Sequence, residues 1–289
     1  MKIPFFTGAC TALVTPFLNG QVNYPMLDIL LQRQLDAGLE AVVISGTTGE
    51  SPTLSDAEKM ELFRRAKTYC GNRMKVIAGT GSNSTAHAVE LSIAAQEAGA
   101  DGLLVVSPYY NKATDEGLFC HYLSIAHAVK IPIILYNVPS RTGVDIPVSV
   151  YKRLSRIPNI AGVKEASTDI AKFLRIHREC EKDFCVWTGN DDLIVPSMAL
   201  GAQGVISVLS NVLPAQVQAL TDACLDSDYE TALALQSQLH SITAALFREV
   251  NPVPVKAAMQ CIGLDCGNCR LPLTKASDAT FATLRQLLT

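Results

Sequence analysis

The residue with the clearest capacity for chemistry is Lys164, which follows the apolar run Ile160–Val163. Such a run is typical of a buried parallel strand. A lysine is costly to bury as a cation, so burial favours the uncharged amine. That amine is the nucleophile that forms a Schiff base with a carbonyl compound. From this segment alone, Lys164 could instead be a side chain that reaches solvent from the strand end. The residues of the neighbouring loops distinguish between these two interpretations.

A second candidate segment is the loop in which Gly46 and Gly49 bracket Thr47 and Thr48. It follows another apolar run directly. Backbone N–H groups and hydroxyls in such a loop can converge on an anion, and the carboxylate of a 2-oxo acid fits without a fixed cation. The same pattern also suits an ordinary tight turn with a threonine helix cap.

Tyr136 and Arg141 form a third candidate pair, at and just after the end of the run Ile133–Asn137. A tyrosine at a strand end can donate and accept protons beside the lysine. Arg141 can bind a second carboxylate through two parallel hydrogen bonds. A packed barrel tyrosine and a solvated surface arginine are the alternatives.

Two adjacent tyrosines, Tyr109 and Tyr110, follow Pro108 after a further apolar run. Consecutive residues of this size cannot all face one core. We therefore expect them to be exposed, and they indicate a site or an interface more than a core.

The elements that would position these residues alternate along the chain. Short runs rich in Val and Ile, nearly continuous in hydrophobicity, predict parallel strands covered on both sides. The runs are Ala9–Thr15, Ala41–Ser45, Lys75–Gly79, Leu103–Ser107, Ile133–Asn137, Ile160–Lys164, Cys185–Thr188 and Gly204–Val208. Helices are predicted between them, for example over Asp56–Tyr69, Thr85–Ala98 and Glu116–Val129.

A weak internal repeat supports this alternation. Gly38, Gly99 and Gly201 each end a predicted helix just before the next strand, where a left-handed residue is needed. The pattern predicts an α/β fold, a (β/α)₈ TIM barrel with a C-terminal helical extension. A doubly wound sheet is the alternative, but the G-x-G-x-x-G turn that usually follows its first strand is absent from Ala9–Gly20.

The chain continues well beyond the eighth predicted strand. We expect residues 1–225 to form the catalytic barrel and residues 226–289 a helical domain packed on it. The helices predicted here, of which the first belongs to the barrel, are Pro214–Asp226, Tyr229–Val250, Pro254–Ile262 and Lys275–Leu288.

Composition narrows the class of partner. The formal net charge is −3 and the isoelectric point about 6.0, which argues against nucleic acid. No apolar stretch approaches the roughly 20 residues of a membrane helix, and no segment resembles a signal peptide. Nine scattered cysteines suit buried free thiols in a reducing cytoplasm.

Two other residue types carry no predicted role. Cys266 and Cys269 form a C-x-x-C without a second such pair, and we interpret them as loop cysteines. His121 and His127 are expected on a helix surface. No cluster has metal-ligand spacing, so neither a metal nor a cofactor is expected.

Four motifs together resemble a known family. Gly46–Glu50, Pro108–Asn111, Tyr136–Gly143 and Val163–Glu165 occur in the order and spacing of the dihydrodipicolinate synthase family. That family belongs to the pyruvate-dependent aldolases, as does N-acetylneuraminate lyase. The resemblance extends from about Gly8 to the C-terminal helices and, because each motif lies at a predicted strand end, it is specific.

The resemblance implies an activity and an assembly. Pyruvate and aspartate 4-semialdehyde would condense through a Schiff base, without a cofactor, in the first committed step of diaminopimelate and lysine biosynthesis. The family usually forms homotetramers built as dimers of dimers. A sister aldolase or lyase acting on a sugar acid or another 4-hydroxy-2-oxo acid, and a non-catalytic paralogue, remain as alternatives; Arg141 favours the synthase.

The resemblance also implies roles for single residues. Lys164 would form the Schiff base. Thr47, Tyr110 and Tyr136 would relay protons, with Tyr110 reaching the active site of a neighbouring subunit. The substrate-binding positions would be Thr48 for the pyruvate carboxylate, Arg141 for the aldehyde's carboxylate, Gly189 and Ile206 as pocket lining through backbone groups, and Asn251 near the site mouth.

Departures from the family pattern concern regulation. In members that lysine inhibits, the effector site would correspond here to Ser51, Asp56, Lys59, Asn83, His87 and Tyr109. Sensitive bacterial members typically carry His at the positions of Asp56 and Lys59, and Glu is common at that of His87. Lys59 places a cation where the effector's ammonium group or its ligands should lie, so we expect weak or absent lysine inhibition.

Overall fold

The computed structural model describes residues 4–289, in which eight parallel strands close into a barrel. The first strand pairs with both the second and the last, which closes the sheet and rules out a doubly wound sheet. The strands are β1 Gly8–Ala12, β2 Ala41–Ile44, β3 Lys75–Gly79, β4 Gly102–Val106, β5 Ile133–Asn137, β6 Ile160–Glu165, β7 Cys185–Thr188 and β8 Gly204–Ser207.

Two apolar layers hold the barrel, because each strand is covered on both faces. The larger layer lies between the sheet and the surrounding helices. The smaller layer fills the barrel interior and includes Phe6, Tyr136, Trp187 and Ile206. Phe6 and Trp187 stack with ring centroids 4.7 Å apart and so close the interior far from the strands' C-terminal ends.

The helices follow the strands as predicted, and several begin at a side-chain cap. Ser55 forms a capping box with Glu58, and Ser84 and Thr114 accept hydrogen bonds from the first turns of their helices. The barrel helices are α1 Tyr24–Asp36, α2 Asp56–Cys70, α3 Thr85–Glu97, α4 Asp115–Ala128, α5 Pro139–Thr142, α6 Val148–Leu154, α7 Ala171–Glu179, α8 Ile194–Ala199 and α9 Pro214–Leu225.

The repeated glycines have the predicted conformation. Gly38, Gly99 and Gly201 have φ angles of +78°, +91° and +94° and follow α1, α3 and α8. A side chain at such φ values is strained, so glycine ends each helix and turns the chain towards the next strand.

Three further helices complete the chain: α10 Tyr229–Leu246, α11 Val253–Cys261 and α12 Asp278–Leu288. Leu246, Met259 and Leu284 belong to the same apolar cluster as the barrel helices. Lys256 of α11 lies 2.5 Å from Glu50, which follows the Gly46–Gly49 loop, and both side chains are buried. The division of the chain into two domains at residue 225 stays a prediction. Residues 1–3 of the predicted barrel domain lie outside the described residues.

Some expectations need correction. His121 is buried rather than on the surface, because it lies on the face of α4 that packs against α3. The His121 Nδ1 atom lies 2.9 Å from Thr85 Oγ1. His127 is exposed, as expected. All nine cysteines are free, but only Cys10, Cys70, Cys224 and Cys266 are buried; four others are partly exposed and Cys120 is exposed. Between residues 4 and 289 no helix has the length and apolar character to cross a membrane.

Candidate active site

A cavity of about 450 Å³ opens where β2, β3, β4 and β5 end. Three of the predicted residues, Thr47, Tyr136 and Arg141, line it. Its other walls are Ser45, Gly46, Ser51, Pro52, Leu54, Asp56, Lys59, Gly79, Gly81, Ser82, His87, Leu104, Val106, Tyr109, Val138 and Thr142. The cavity therefore lies at the barrel end where enzymes of this fold place their chemistry.

Lys164 lies beside this cavity and is almost fully buried, with 5% of its surface exposed. It pairs with Tyr136 across β5 and β6, and its Nζ lies 4.4 Å from the centre of the Tyr136 ring. Since Tyr136 lines the cavity, the lysine amine lies directly behind a residue that a bound ligand would contact.

Gly189, just after β7, lies against the lysine, and Ile206 lies on the following strand, β8. A Cβ atom added to Gly189 would lie 2.9 Å from Lys164 Cε and 2.6 Å from Ala166 Cβ. Ile206 is buried in the barrel interior, where Cys10 is its register partner on β1. Burial raises the pKa of the Cys10 thiol, and the charge of Lys164 opposes that shift.

The Gly46–Gly49 loop is held close to β3. Ser45 adopts a left-handed φ of +57°, and Gly79 lets the loop pass, since a Cβ there would be only 2.2 Å from Ser45 O. The backbone N–H groups of Thr47 and Thr48 donate to no protein acceptor within residues 4–289. They match the donors expected for a carboxylate, although the Thr48 side chain itself is buried.

Asn251 joins this loop to Arg141. Its Nδ2 donates to Thr48 Oγ1 at 2.9 Å, and its backbone oxygen accepts from Arg141 Nη2 at 3.1 Å. The Asn251 side chain is buried, so the C-terminal segment braces two of the predicted carboxylate-binding groups.

The structure does not bring Tyr110 into this site. Its side chain is 91% exposed and its φ is +72°, whereas Tyr109 lines the cavity. Both tyrosines are thus exposed, as predicted for a site or an interface.

The outer part of the cavity carries a charged cluster. Asp56 accepts from His87 Nε2 at 3.0 Å and pairs with Lys59 Nζ at 3.4 Å. His87 Nδ1 lies 3.2 Å from Ser82 Oγ. The hydrogen bond from His87 holds the pKa of Asp56 below its usual range.

Comparison with known proteins identifies the family. Residues 5–289 match the sequence profile described as the dihydrodipicolinate synthetase family. The chain belongs to the dihydrodipicolinate synthetase family. A family relative, 4-hydroxy-tetrahydrodipicolinate synthase of Acetivibrio thermocellus, is 45% identical over all of this chain and 98% of that protein.

Solved structures of the family have the same fold. Dihydrodipicolinate synthase from Aquifex aeolicus superposes with a TM-score of 0.96 at 44% identity, covering 98% of this chain and 97% of that one. The chloride-inhibited enzyme from Acinetobacter baumannii, complexed with pyruvate, gives a TM-score of 0.96 at 39% identity and covers 98% of both chains.

One residue near the site of this family member was missed from the sequence. Asp191, after β7, is buried, and its Oδ2 accepts from the backbone N–H groups of Val208 and Leu209 at 2.9 and 3.1 Å. Burial raises its pKa, and hydrogen bonds and the charge of Lys164 oppose the shift. Its position in the sequence could have identified it, because Asp191 is a polar residue that closely follows a buried strand, as are several of the other candidate site residues.

No group of three or more His, Cys, Asp or Glu in residues 4–289 is arranged to hold a metal ion.

Burial raises the pKa of the Cys266 and Cys269 thiols to about 12 in both cases. Thiolates are therefore disfavoured at the C-x-x-C, which fits the interpretation of these residues as loop cysteines.

Proposed function

We propose that this chain condenses pyruvate with L-aspartate 4-semialdehyde to give 4-hydroxy-tetrahydrodipicolinate, the first committed step of diaminopimelate and lysine biosynthesis. The observation that carries the proposal is the buried Lys164 amine, placed against Tyr136 beside a cavity that Arg141 also lines. The names of the full-length relatives support it, and so does the pyruvate complex of one of them.

The reaction would begin at Lys164. Its uncharged amine attacks C2 of pyruvate, and loss of water gives a protonated imine. The imine draws electrons from the adjacent methyl group, which loses a proton to give an enamine. The enamine carbon attacks the aldehyde, whose oxygen takes up a proton. The product's own amine then displaces Lys164 as the ring closes, which restores the free enzyme.

The proton transfers are assigned to Tyr136, Thr47 and Tyr110. The Tyr136 ring lies against the lysine amine, at 4.4 Å from Nζ. Thr47 lines the same cavity. Tyr110 would come from a neighbouring subunit, which its exposure in the single chain allows.

Two carboxylates need separate binding groups. The Thr47–Thr48 backbone would take the carboxylate of pyruvate, with the Thr48 hydroxyl held by Asn251. Arg141 uses one N–H on Asn251 O and keeps further donors for the carboxylate of the aldehyde. Gly189 and Ile206 would complete the pocket around the imine.

We further propose that the enzyme acts as a cytoplasmic homotetramer, a dimer of dimers. Nine free cysteines suit a reducing compartment. An exposed Tyr110 that completes another subunit's site requires at least a dimer. Sedimentation velocity at several protein concentrations would test the assembly.

The activity is tested with pyruvate and aspartate 4-semialdehyde, following NADPH oxidation by an added reductase. Lys164→Ala and Arg141→Ala are expected to abolish and to severely reduce turnover, respectively. Arg156→Ala is the matched control and should retain turnover, because the exposed Arg156 side chain pairs with Glu181 at 3.5 Å, away from the cavity.

A second result would redirect the proposal. Borohydride reduction with pyruvate traps an imine on Lys164 whatever the second substrate is. Wild-type protein that is trapped but does not turn over would retain the imine chemistry and indicate a sister aldolase. Wild-type protein that is not trapped would exclude both enzymes.

A further inference from the structure

A polar cluster lies on the outer face of the barrel, directly behind Lys164 and Tyr136; all of its members are buried except Asp145, whose side chain is 55% exposed. This outer cluster consists of Asn137, Asp145, Tyr151, Glu165 and Lys172. Successive side chains of a strand point to opposite faces. Glu165 therefore points away from the interior that holds Lys164, and Asn137 points away from the interior that holds Tyr136.

The outer cluster connects β5 and β6 next to Tyr136 and Lys164. Tyr136 pairs with Lys164, and Asn137 pairs with Glu165 on the next rung. Asn137 Nδ2 donates to Glu165 Oε1 at 2.8 Å, and Ser167 N donates to the same oxygen at 2.9 Å. A displacement of this rung would move the lysine relative to the tyrosine.

The same cluster fixes the segment that carries Arg141. Helix α5 lies between Asn137 and Asp145 in sequence, and both of these residues belong to the cluster. Asn137 Nδ2 donates to Asp145 Oδ1 at 2.7 Å, while Asn137 Oδ1 accepts from Ile146 N at 3.0 Å. Lys172 pairs with Asp145 and lies 3.4 Å from Glu165 Oε2.

The charges at the centre of the cluster are withdrawn from water. Glu165 is fully buried, and the Lys172 side chain is only 3% exposed. A buried ion pair contributes little net stability compared with apolar side chains of the same size. In some proteins buried ionic groups instead specify one arrangement of the groups around them. Tyr151 OH donates to Glu165 Oε2 at 3.1 Å and completes the set of partners.

We propose that Glu165 is a positioning residue, which sets the geometry of Lys164 against Tyr136 and, through Asn137 and Asp145, that of Arg141. The proposal rests on the function proposed above. It predicts that one substitution outside the cavity impairs two separate steps, imine formation with pyruvate and capture of the aldehyde.

The test compares Glu165→Gln and Tyr151→Phe with the wild type. Asp101→Asn is the control, because Asp101 also pairs with a lysine, Lys67 at 2.7 Å, and accepts from Val76 N, but at the opposite end of the barrel. For each protein, borohydride trapping with pyruvate gives the number of competent sites and the rate of imine formation. Steady-state assays give kcat per competent site and KM for the aldehyde.

The expected result is a loss per competent site, which a purely structural role would not produce. Glu165→Gln should reduce the trapping rate and kcat per site at least about tenfold and raise KM for the aldehyde. Tyr151→Phe should show a smaller loss of the same kind, and Asp101→Asn none.

The proposal is overturned if both variants keep kcat per site and trapping rate within about twofold of the wild type, whatever happens to yield or stability. If Glu165→Gln does not fold, Tyr151→Phe decides by the same criterion. If the wild type forms the imine without condensation, the proposed function fails while the trapping rates still measure the role of Glu165. If the wild type is not trapped at all, the proposed function and the role of Glu165 are both overturned.

Discussion

Gly189 shows how one missing side chain creates room for a reactive one. A Cβ at this position would approach Lys164 Cε to 2.9 Å, closer than such atoms pack. Gly189→Ala should therefore displace the lysine and slow borohydride trapping with pyruvate by roughly tenfold or more. Gly117→Ala is the control, since the nearest atom to its new Cβ, Ala113 Cβ, is 3.3 Å away. Equal trapping rates in the two variants would contradict the placement of Lys164.

Lys59 is expected to weaken or prevent inhibition by lysine. It pairs with Asp56, which also accepts from His87, so the carboxylate that could receive a lysine effector is already occupied. A second ammonium group would meet the charge of Lys59. Heating curves should show little or no shift with added lysine, whereas pyruvate should raise Tm as a positive control. A large shift at low lysine concentration would refute this expectation.

At the scale of elements, most of the barrel was predictable because parallel strands are continuous apolar runs. The strand Ile133–Asn137 has the predicted ends, but the first strand is shorter than Ala9–Thr15 and ends at Ala12. Helix α10 ends at Leu246 rather than Val250, close to where Asn251 must reach Thr48. Those two residues are 203 positions apart, and local patterns do not reveal such contacts.

The burial of His121 was also not predictable from local patterns, because its partner Thr85 is 36 positions away in the sequence. We expect this burial to make the packing of α4 on α3 sensitive to pH. Burial lowers its pKa from 6.5 to about 4, so the unfolded chain binds the proton more tightly. Stability is retained above pH 6.5 and is lost as pH falls towards 4, by about 2–3 kcal/mol at pH 4.5. Urea unfolding at pH 7 and 4.5 should show a smaller decrease for His121→Asn. His127→Asn, on the exposed side of α4, should behave as the wild type.

For the whole molecule, the single chain brings most of the predicted site residues close together. Tyr136, Thr47 and Arg141 line one cavity and Lys164 lies against the Tyr136 ring, as their positions at strand ends predicted. Tyr110 does not, and no pattern within one chain can specify a contact between two. Its side chain, 91% exposed in the single chain, is accessible to a neighbouring subunit.

Subunit mixing tests by complementation whether Tyr110 acts in a neighbouring subunit. Lys164→Ala and Tyr110→Phe chains should each have little activity alone. In a mixed dimer, a wild-type Tyr110 from the first chain would complete the site whose Lys164 belongs to the second, while the other site would lack both groups. With random pairing, about one quarter of wild-type activity should return on mixing by denaturation and refolding or by co-expression. If Tyr110 instead served its own chain, each site would lack one group or the other, and mixing would restore nothing. Recovery of activity therefore requires that catalysis depends on assembly and that Tyr110 acts across the interface.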